Sequence, residues 1–307
     1  MGGVAGGIVF AAPEPSYHPL EYRSEFLWVP RLGEVRTEYG IPCLLLQNPA
    51  ASFVVIYFHA NAEDLGQIYI LLRFLRTQLG VHVLAVEYPG YGVCSGTPSE
   101  EKLLSDAETV MEFVRRDLKV PQSRVLLMGR SMGGGPAIYL ASQHACAGLV
   151  TMATFSSLRT VASSFATMAG WLVDDFDNAQ RIRSVRCPTL IVHGDRDTLV
   201  PLDQAAILAQ ACGADVDEQQ PVTLHIIPGR DHNNLDIKRD IIDPVMHTFP
   251  GIDKGNPLSL EATDVLLEEQ STKLAADVLA RVPFRPGWVP DRPPFSQVRM
   301  FSGDQEI

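Results

Sequence analysis

Cysteine is scarce in this sequence, and no two cysteines form a C-x-x-C pair. There are five, an odd number, and they are widely scattered along 307 residues. This spacing suggests neither a zinc site nor a disulfide framework. We therefore expect no metal, no cofactor, and free thiols that are buried or partly buried in a reducing compartment.

An excess of positive charge is also missing, since the formal net charge is −11 and the pI is about 5.2. Such a chain repels nucleic-acid phosphates, which argues against a nucleic-acid partner. Residues 1–12 are small and apolar, but they lack a basic region and are too short to span a membrane. Gly2 invites myristoylation, but Gly6 stands where that pattern requires Ser or Thr. We expect a cytoplasmic protein, and peripheral membrane attachment stays open.

The chain divides into an irregular approach (1–24), one domain (25–250) and a tail (251–307). Weak alternation predicts antiparallel strands at 26–29, 34–39 and 41–47. Continuous apolar runs then alternate with helical repeats, which predicts a mostly parallel central sheet with helices on both faces. The later strands are expected at 53–58, 81–86, 125–128, 149–155, 188–193 and 222–227. The helices are expected at 64–79, about 99–118, after 133, 202–211 and 233–247.

Two segments fall outside this repeat. Residues 156–186 are longer than an ordinary connection. They are interpreted either as a small lid whose Phe165, Met168 and Trp171 offer apolar surface to a substrate, or as a crossover helix packed on the sheet. The tail has helical spacing over 258–282 and a proline-rich stretch over 283–294. Its role, like the oligomeric state, stays open.

Residues 124–137 read RVLLMGRSMGGGPA, a strand followed by G-x-S-x-G and a helical stretch. That context is typical of a nucleophile elbow, with Ser131 as the nucleophile. Gly129 and Gly133 supply the small residues that a sharp turn requires, and Gly134 lets the new helix approach the sheet. The alternative is a glycine-rich turn without chemistry or one that holds a phosphate. However, no lysine follows, as a phosphate loop would require.

A serine needs a base, and in elbow-type enzymes the acid and then the histidine follow it along the chain. Among eight histidines, His232 lies in a loop after the last predicted strand. Asp197 and Asp195 both follow the preceding strand. Asp197 is favoured as the acid because it lies further into its loop, whereas Asp195 is expected to bond turn amides.

An oxyanion hole needs two backbone N–H groups aimed at the developing charge. One is expected from Met132, directly after the nucleophile. The second is expected from the loop 59–62 that follows an early strand, at Asn61.

These motifs together resemble the α/β-hydrolase superfamily over residues 10–248. The residues that carry the resemblance are FHANAEDLG (58–66), EYPGYGVCSGTPSE (87–100), the elbow, HGDRD (193–197) and GRDHN (229–233). The set is most similar to α/β-hydrolase-domain proteins that remove palmitate from cysteine, as is FAAPEPSY (10–17), and it is also similar to serine aminopeptidase-like hydrolases. The resemblance implies the α/β-hydrolase fold and a serine hydrolase of carboxylic esters or thioesters, with an acyl ester or an S-acylated protein as substrate.

The sequence departs from that pattern at three places, one of which is the tail after residue 250, which has no recognised counterpart. Ala60 stands where the family has glycine, so a positive φ at this position would cost energy and misplace the oxyanion amide. None of the first 42 residues is cysteine, so the acylated cluster that holds the depalmitoylases at membranes is missing. An aminopeptidase-like enzyme, a small-ester or lipid hydrolase, and a catalytically weak scaffold stay as alternatives.

Overall fold

The computed structural model describes residues 10–22, 24–31, 40–159, 176–218 and 220–260. Its centre is a sheet of eight strands in the order β1-β2-β4-β3-β5-β6-β7-β8. The strands are short, and all except the edge strand β8 are buried almost throughout. They are β1 (Phe26–Val29), β2 (Ile41–Leu46), β3 (Val54–Phe58), β4 (His82–Val86), β5 (Val125–Arg130), β6 (Gly148–Met152), β7 (Thr189–Gly194) and β8 (Val222–Ile227).

The pairing of these strands makes the sheet mixed. β1 pairs antiparallel with β2, and β2 pairs antiparallel with β4. From β4 onward every pairing is parallel, which brings the carboxyl ends of β3 to β8 to one edge of the sheet. The predicted architecture is therefore confirmed, while the strand expected at 34–39 lies outside the described residues.

Helices cover both faces of the sheet, and each face has its own apolar core. The helices are α1 (Leu65–Leu79), α2 (Glu100–Arg116), α3 (Gly134–Gln143), α4 (Asn178–Ile182), α5 (Leu202–Ala211), a π-helix (Ile237–Ile242) and α6 (Asp243–Thr248). The residues of α2 to α5 join one core, and those of α1, the π-helix and α6 join the other. The sheet is thus buried on both sides, as its continuous apolar strands indicate.

Local sequence explains where the long helices begin and end. Asp64 precedes α1, and its carboxylate accepts the Gln67 N–H at 3.0 Å. Gly80 ends α1 in the left-handed conformation, with φ of 66°. Ser99 caps α2 by accepting the Lys102 N–H, as predicted.

The last helical segment begins at Ile237, so the predicted start near Asn233 is wrong. The Asp231 carboxylate accepts the N–H groups of Asn233 and Asn234 at 2.8 and 3.1 Å. These bonds hold a side-chain turn that competes with a helix over these residues. The helix starts only after Asp236, whose carboxylate caps it at the Arg239 N–H.

The described ends of the two unassigned segments pack into the domain. Phe176 and α4 are anchored in the core beside α3, with Phe176 fully buried. Leu258 donates its N–H to the Ala51 carbonyl, and Leu260 is buried. The substrate-contact predictions at Phe165, Met168 and Trp171, and the tail beyond 260, lie outside the described residues.

All five cysteines are free and buried, as the sequence predicts. Burial raises the pKa of each thiol, to about 12 for Cys94 and Cys187. None is therefore a thiolate near neutral pH. Among the described helices, none combines the length and apolar character needed to cross a bilayer.

Candidate active site

Ser131 lies on a tight turn between β5 and α3, at the edge where the parallel strands end. Its φ is 52°, a left-handed conformation that non-glycine residues rarely adopt. A Cβ at Gly129 would lie 2.2 Å from the Gly133 carbonyl oxygen, and one at Gly133 would lie 2.2 Å from the Phe58 carbonyl oxygen. Both positions therefore require glycine, which is the geometry predicted for a nucleophile elbow.

The structure brings Ser131, His232 and Asp197 together from three separate loops. His232 Nε2 lies 3.1 Å from Ser131 Oγ, and His232 Nδ1 lies 2.8 Å from Asp197 Oδ2. All three residues are less than a tenth exposed. Because a carboxylate only accepts, Nδ1 carries the imidazole proton and Nε2 is left to accept the serine hydroxyl proton.

Backbone amides fix the Asp197 carboxylate. Its Oδ1 accepts the N–H groups of Leu199 and Val200 at 2.9 and 2.8 Å. Burial alone would raise the pKa of Asp197, but the bonds from His232 and Val200 hold it below its ordinary value. Asp197 lies against His232 as expected, but the role predicted for Asp195 is wrong. Asp197 bonds the amides of that turn, and Asp195 instead accepts the Gly229 N–H, which ties its loop to the loop of His232.

A second histidine lies against the same carboxylate, which sequence reasoning did not single out. His193 Nε2 donates to the Val200 carbonyl at 2.8 Å and lies 3.5 Å from Asp197 Oδ2. Burial lowers the pKa of His193, so it stays neutral and adds a dipole rather than a charge. The rule that places the catalytic histidine last gives no signal for such a supporting partner.

The loop after β3 lies beside the elbow, since a Gly133 Cβ would also come within 2.6 Å of the His59 carbonyl oxygen. This loop carries Asn61, and Met132 directly follows Ser131. The side chain of Asn61 is held by Tyr91 Oη–H and the Ala11 N–H, at 2.6 and 2.9 Å. The two predicted oxyanion residues therefore belong to neighbouring segments.

Ala60, the residue that departs from the family pattern, is not among the described non-glycine residues with a positive φ. The left-handed residue of this loop is Ala62, with φ of 60°. The backbone strain expected at Ala60 is therefore absent, because the left-handed residue of the loop lies two positions later, at Ala62. Ala60 N–H instead donates to Glu63 Oε2 at 3.0 Å.

Several known proteins are similar to this chain in sequence. A protein-family model described as serine aminopeptidase S33 matches residues 49–179. The α/β hydrolase domain-containing protein aho-3 of Caenorhabditis elegans is 28% identical, over 76% of this chain and 74% of that protein. The human α/β hydrolase domain-containing protein 17B is 26% identical, over 77% of this chain and 87% of that protein.

This chain has the α/β-hydrolase fold and is similar in sequence to α/β-hydrolase domain proteins. A solved structure agrees with that assignment: the esterase Pf2001 of Pyrococcus furiosus superposes with a TM-score of 0.59, covering 78% of this chain and 96% of the esterase. At 17% identity the likeness shows the fold alone. The matched family model and the two relatives support a hydrolase.

The loop after β3 begins at His59, whose side chain forms a buried pair with Glu87. His59 Nε2 lies 2.9 Å from Glu87 Oε1, and both side chains are fully buried. Burial alone would lower the pKa of His59, but the bond to Glu87 and its charge raise it above its ordinary value. Tyr17 Oη–H and the Leu65 N–H donate to the second carboxylate oxygen. The sequence does not predict this pair, because no local pattern joins one strand end to the end of the next strand.

Over the described residues, no group of three or more His, Cys, Asp or Glu side chains is arranged to hold a metal ion. The groups that meet at the site are the Ser131 hydroxyl, the His232 imidazole and the Asp197 carboxylate.

Proposed function

We propose that this α/β hydrolase is a serine hydrolase that cleaves carboxylic esters or thioesters through an acyl-serine intermediate. One observation carries the proposal: the hydrogen bonds run from Ser131 to His232 and from His232 to Asp197, at 3.1 and 2.8 Å. Their polarity leaves His232 Nε2 free to take the hydroxyl proton, which is the step that a serine nucleophile needs.

In the proposed acylation step, Ser131 Oγ attacks the substrate carbonyl carbon while its proton passes to His232 Nε2. Asp197 holds the imidazole in the correct tautomer and stabilises the imidazolium. Collapse of the tetrahedral intermediate breaks the bond to the alcohol or thiol, which leaves with the proton from His232. The acyl group is then esterified to Ser131.

In deacylation, His232 takes a proton from water, and the resulting hydroxide attacks the acyl-serine carbonyl. The proton returns to Ser131 Oγ as the carboxylic acid departs. In both steps we assign the oxyanion to the backbone N–H groups of Met132 and Asn61. A donor of this kind typically contributes about 10²–10³ in kcat.

For the substrate we propose an S-acylated protein, by resemblance to the depalmitoylases. Phe165, Met168 and Trp171 are the proposed apolar contacts for its acyl chain. The family model described as a serine aminopeptidase supports a peptidase as a second candidate. Small acyl esters or lipids are a third, because the same triad would serve them.

The first experiment asks whether Ser131 is the nucleophile. A fluorophosphonate probe should label the wild type and Ser142→Ala but not Ser131→Ala. Ser142 is a matched control because it lies on the helix that follows the elbow, where its hydroxyl bonds the Tyr139 carbonyl. Labelling of Ser131→Ala, or of no variant, would refute the assignment.

The second experiment chooses the substrate class. Hydrolysis is measured for p-nitrophenyl esters from acetyl to palmitoyl, an S-palmitoylated peptide and an aminoacyl amide. We expect the thioester peptide to have the highest kcat/KM. Cleavage of the amide alone would favour the aminopeptidase candidate, and cleavage of short esters alone would favour a small-ester hydrolase.

A further inference from the structure

Arg130, the residue directly before Ser131, bonds two other loops of the site. Its guanidinium forms an ion pair with Glu63 in the loop after β3. Its Nη2 donates to the His232 carbonyl and to Asn233 Oδ1, each at 3.0 Å. Glu63 in turn accepts the Ala60 N–H. One side chain therefore connects the elbow, the loop that carries Asn61 and the loop that carries His232.

We propose that Arg130 and Glu63, here called the Arg130–Glu63 clamp, are positioning residues that hold these three loops in register. The inference rests on the proposed function, because it concerns the distance between nucleophile, base and oxyanion amides. Neither residue touches the substrate in this account. They act through the backbone of His232 and of Ala60.

The chemistry of the clamp suits this task. Arg130 and Glu63 lie 67 positions apart, and Arg130 and His232 lie 102 apart, so no local backbone structure sets their spacing. The guanidinium is planar with a rigid fork of donors, and it fixes direction as well as distance. Both side chains are mostly buried, at 13% and 15% exposure, so solvent screens the pair less than a surface pair.

Charge gives the clamp a second, measurable property. The pair is neutral overall, so it leaves the imidazolium formed at His232 with the Asp197 charge as its main partner. Removing Glu63 would leave an unpaired cation beside the base, and removing Arg130 would leave an unpaired anion. The other charged or titratable groups around the base have partners of their own: His193 at Val200, Asp231 at Asn233 and Asn234, and Arg230 at Asp240.

The test compares Arg130→Met, Arg130→Lys and Glu63→Gln with the control Arg124→Met. Arg124 lies at the opposite end of β5 and also donates to backbone carbonyls, those of Ser52 and Asn256. We expect Arg130→Met to lower kcat by ~10–100-fold with little change in KM, because small misplacements of reacting groups cost about this much. Arg130→Lys keeps the charge but not the fork, so a smaller loss is expected. The control should keep wild-type kcat.

The pH profile separates a positioning clamp from a merely structural contact. The acid limb of kcat/KM reports protonation of the free enzyme's base. It should move to lower pH in Glu63→Gln, where the unpaired cation disfavours the imidazolium, and to higher pH in Arg130→Met. The low-field proton resonance of the His232 Nδ1–H should also broaden or shift in both variants. Loss of folding would lower the fraction of active enzyme in each variant, but it would not move the acid limb of kcat/KM in opposite directions in Glu63→Gln and Arg130→Met.

The outcomes distinguish failure of the clamp from failure of the proposed function. The clamp alone would be overturned if Arg130→Met and Glu63→Gln kept wild-type kcat and an unchanged acid limb of kcat/KM while Ser131→Ala was inactive. Undiminished hydrolysis by Ser131→Ala would overturn the proposed function. If Arg130→Met does not fold, Glu63→Gln and Arg130→Lys decide, because each keeps a polar side chain of similar length.

Discussion

Gly133 holds the elbow against the loop after β3, and Gly133→Ala tests how tightly. The new Cβ would lie 2.2 Å from the Phe58 carbonyl oxygen and 2.6 Å from that of His59, where ordinary contact begins at 3.4 Å. Both neighbours are backbone atoms of a buried strand end and cannot rotate away. The two segments must therefore separate by about 1 Å, a shift that typically costs about 10²-fold in rate.

The expected result is a kcat/KM lower by about 10²-fold, which corresponds to about 2.7 kcal/mol of transition-state stabilisation. Overpacking of this kind also lowers the free energy of unfolding by about 1–3 kcal/mol. The assays are ester hydrolysis under steady-state conditions and urea unfolding followed by circular dichroism. Both are needed, because a stability loss alone would not show that the oxyanion loop had moved.

Gly134→Ala is the matched control. Its Cβ would meet the Thr154 side chain, at 2.2 Å from Oγ1 and 2.3 Å from Cγ2. Removing that side chain in Gly134→Ala/Thr154→Gly should recover part of the stability lost in the single variant. No side-chain deletion can rescue Gly133→Ala. Wild-type kcat/KM in Gly133→Ala would refute the reasoning, since it would mean that the loop yields without consequence.

Three further predictions concern the triad and its supporting loop. Asp197→Asn should lower kcat by about 10³–10⁴-fold, because the amide can donate to His232 and favour the wrong tautomer; a loss below tenfold, measured by ester hydrolysis, would contradict its role. The raised pKa of His59 means that its pair with Glu87 contributes stability that is fully present below about pH 6.5 and is lost as pH rises through the folded-state pKa. Urea unfolding at several pH values should show this slope in wild type and not in His59→Gln. Ala62→Gly should raise the melting temperature by relieving a left-handed alanine, whereas Ala60→Gly should raise neither stability nor kcat.

The sequence was sufficient where a residue's role depends on its place along the chain. The meeting of Ser131, Asp197 and His232 could be predicted from the G-x-S-x-G motif and from the loops after the last two predicted strands, because parallel strands place their following loops at one edge of the sheet. The choice of Asp197 over Asp195 followed from its greater depth in the loop. The start of α2 at Ser99 followed from residue type and position.

The sequence was not sufficient where a role depends on which loops meet. The bond between Glu63 and Arg130 joins positions 67 apart, and no periodicity or motif records such a contact. His18 and His82 are also buried, and the Nδ1 atom of each accepts a backbone N–H group, from Leu20 and from Asn48, which no motif indicates. Backbone strain was expected at Ala60 because the family has glycine at this position. Only the backbone angles show that the left-handed residue is Ala62.

In the proposed reaction the acyl group is transferred to Ser131 before water releases it. The most direct measurement is rapid acid quench of the enzyme during turnover of a p-nitrophenyl ester, followed by peptide mass spectrometry. We expect one added acyl mass on the peptide that contains Ser131, and none in Ser131→Ala. Turnover with the acyl mass on any other residue, or undiminished turnover by Ser131→Ala, would contradict it.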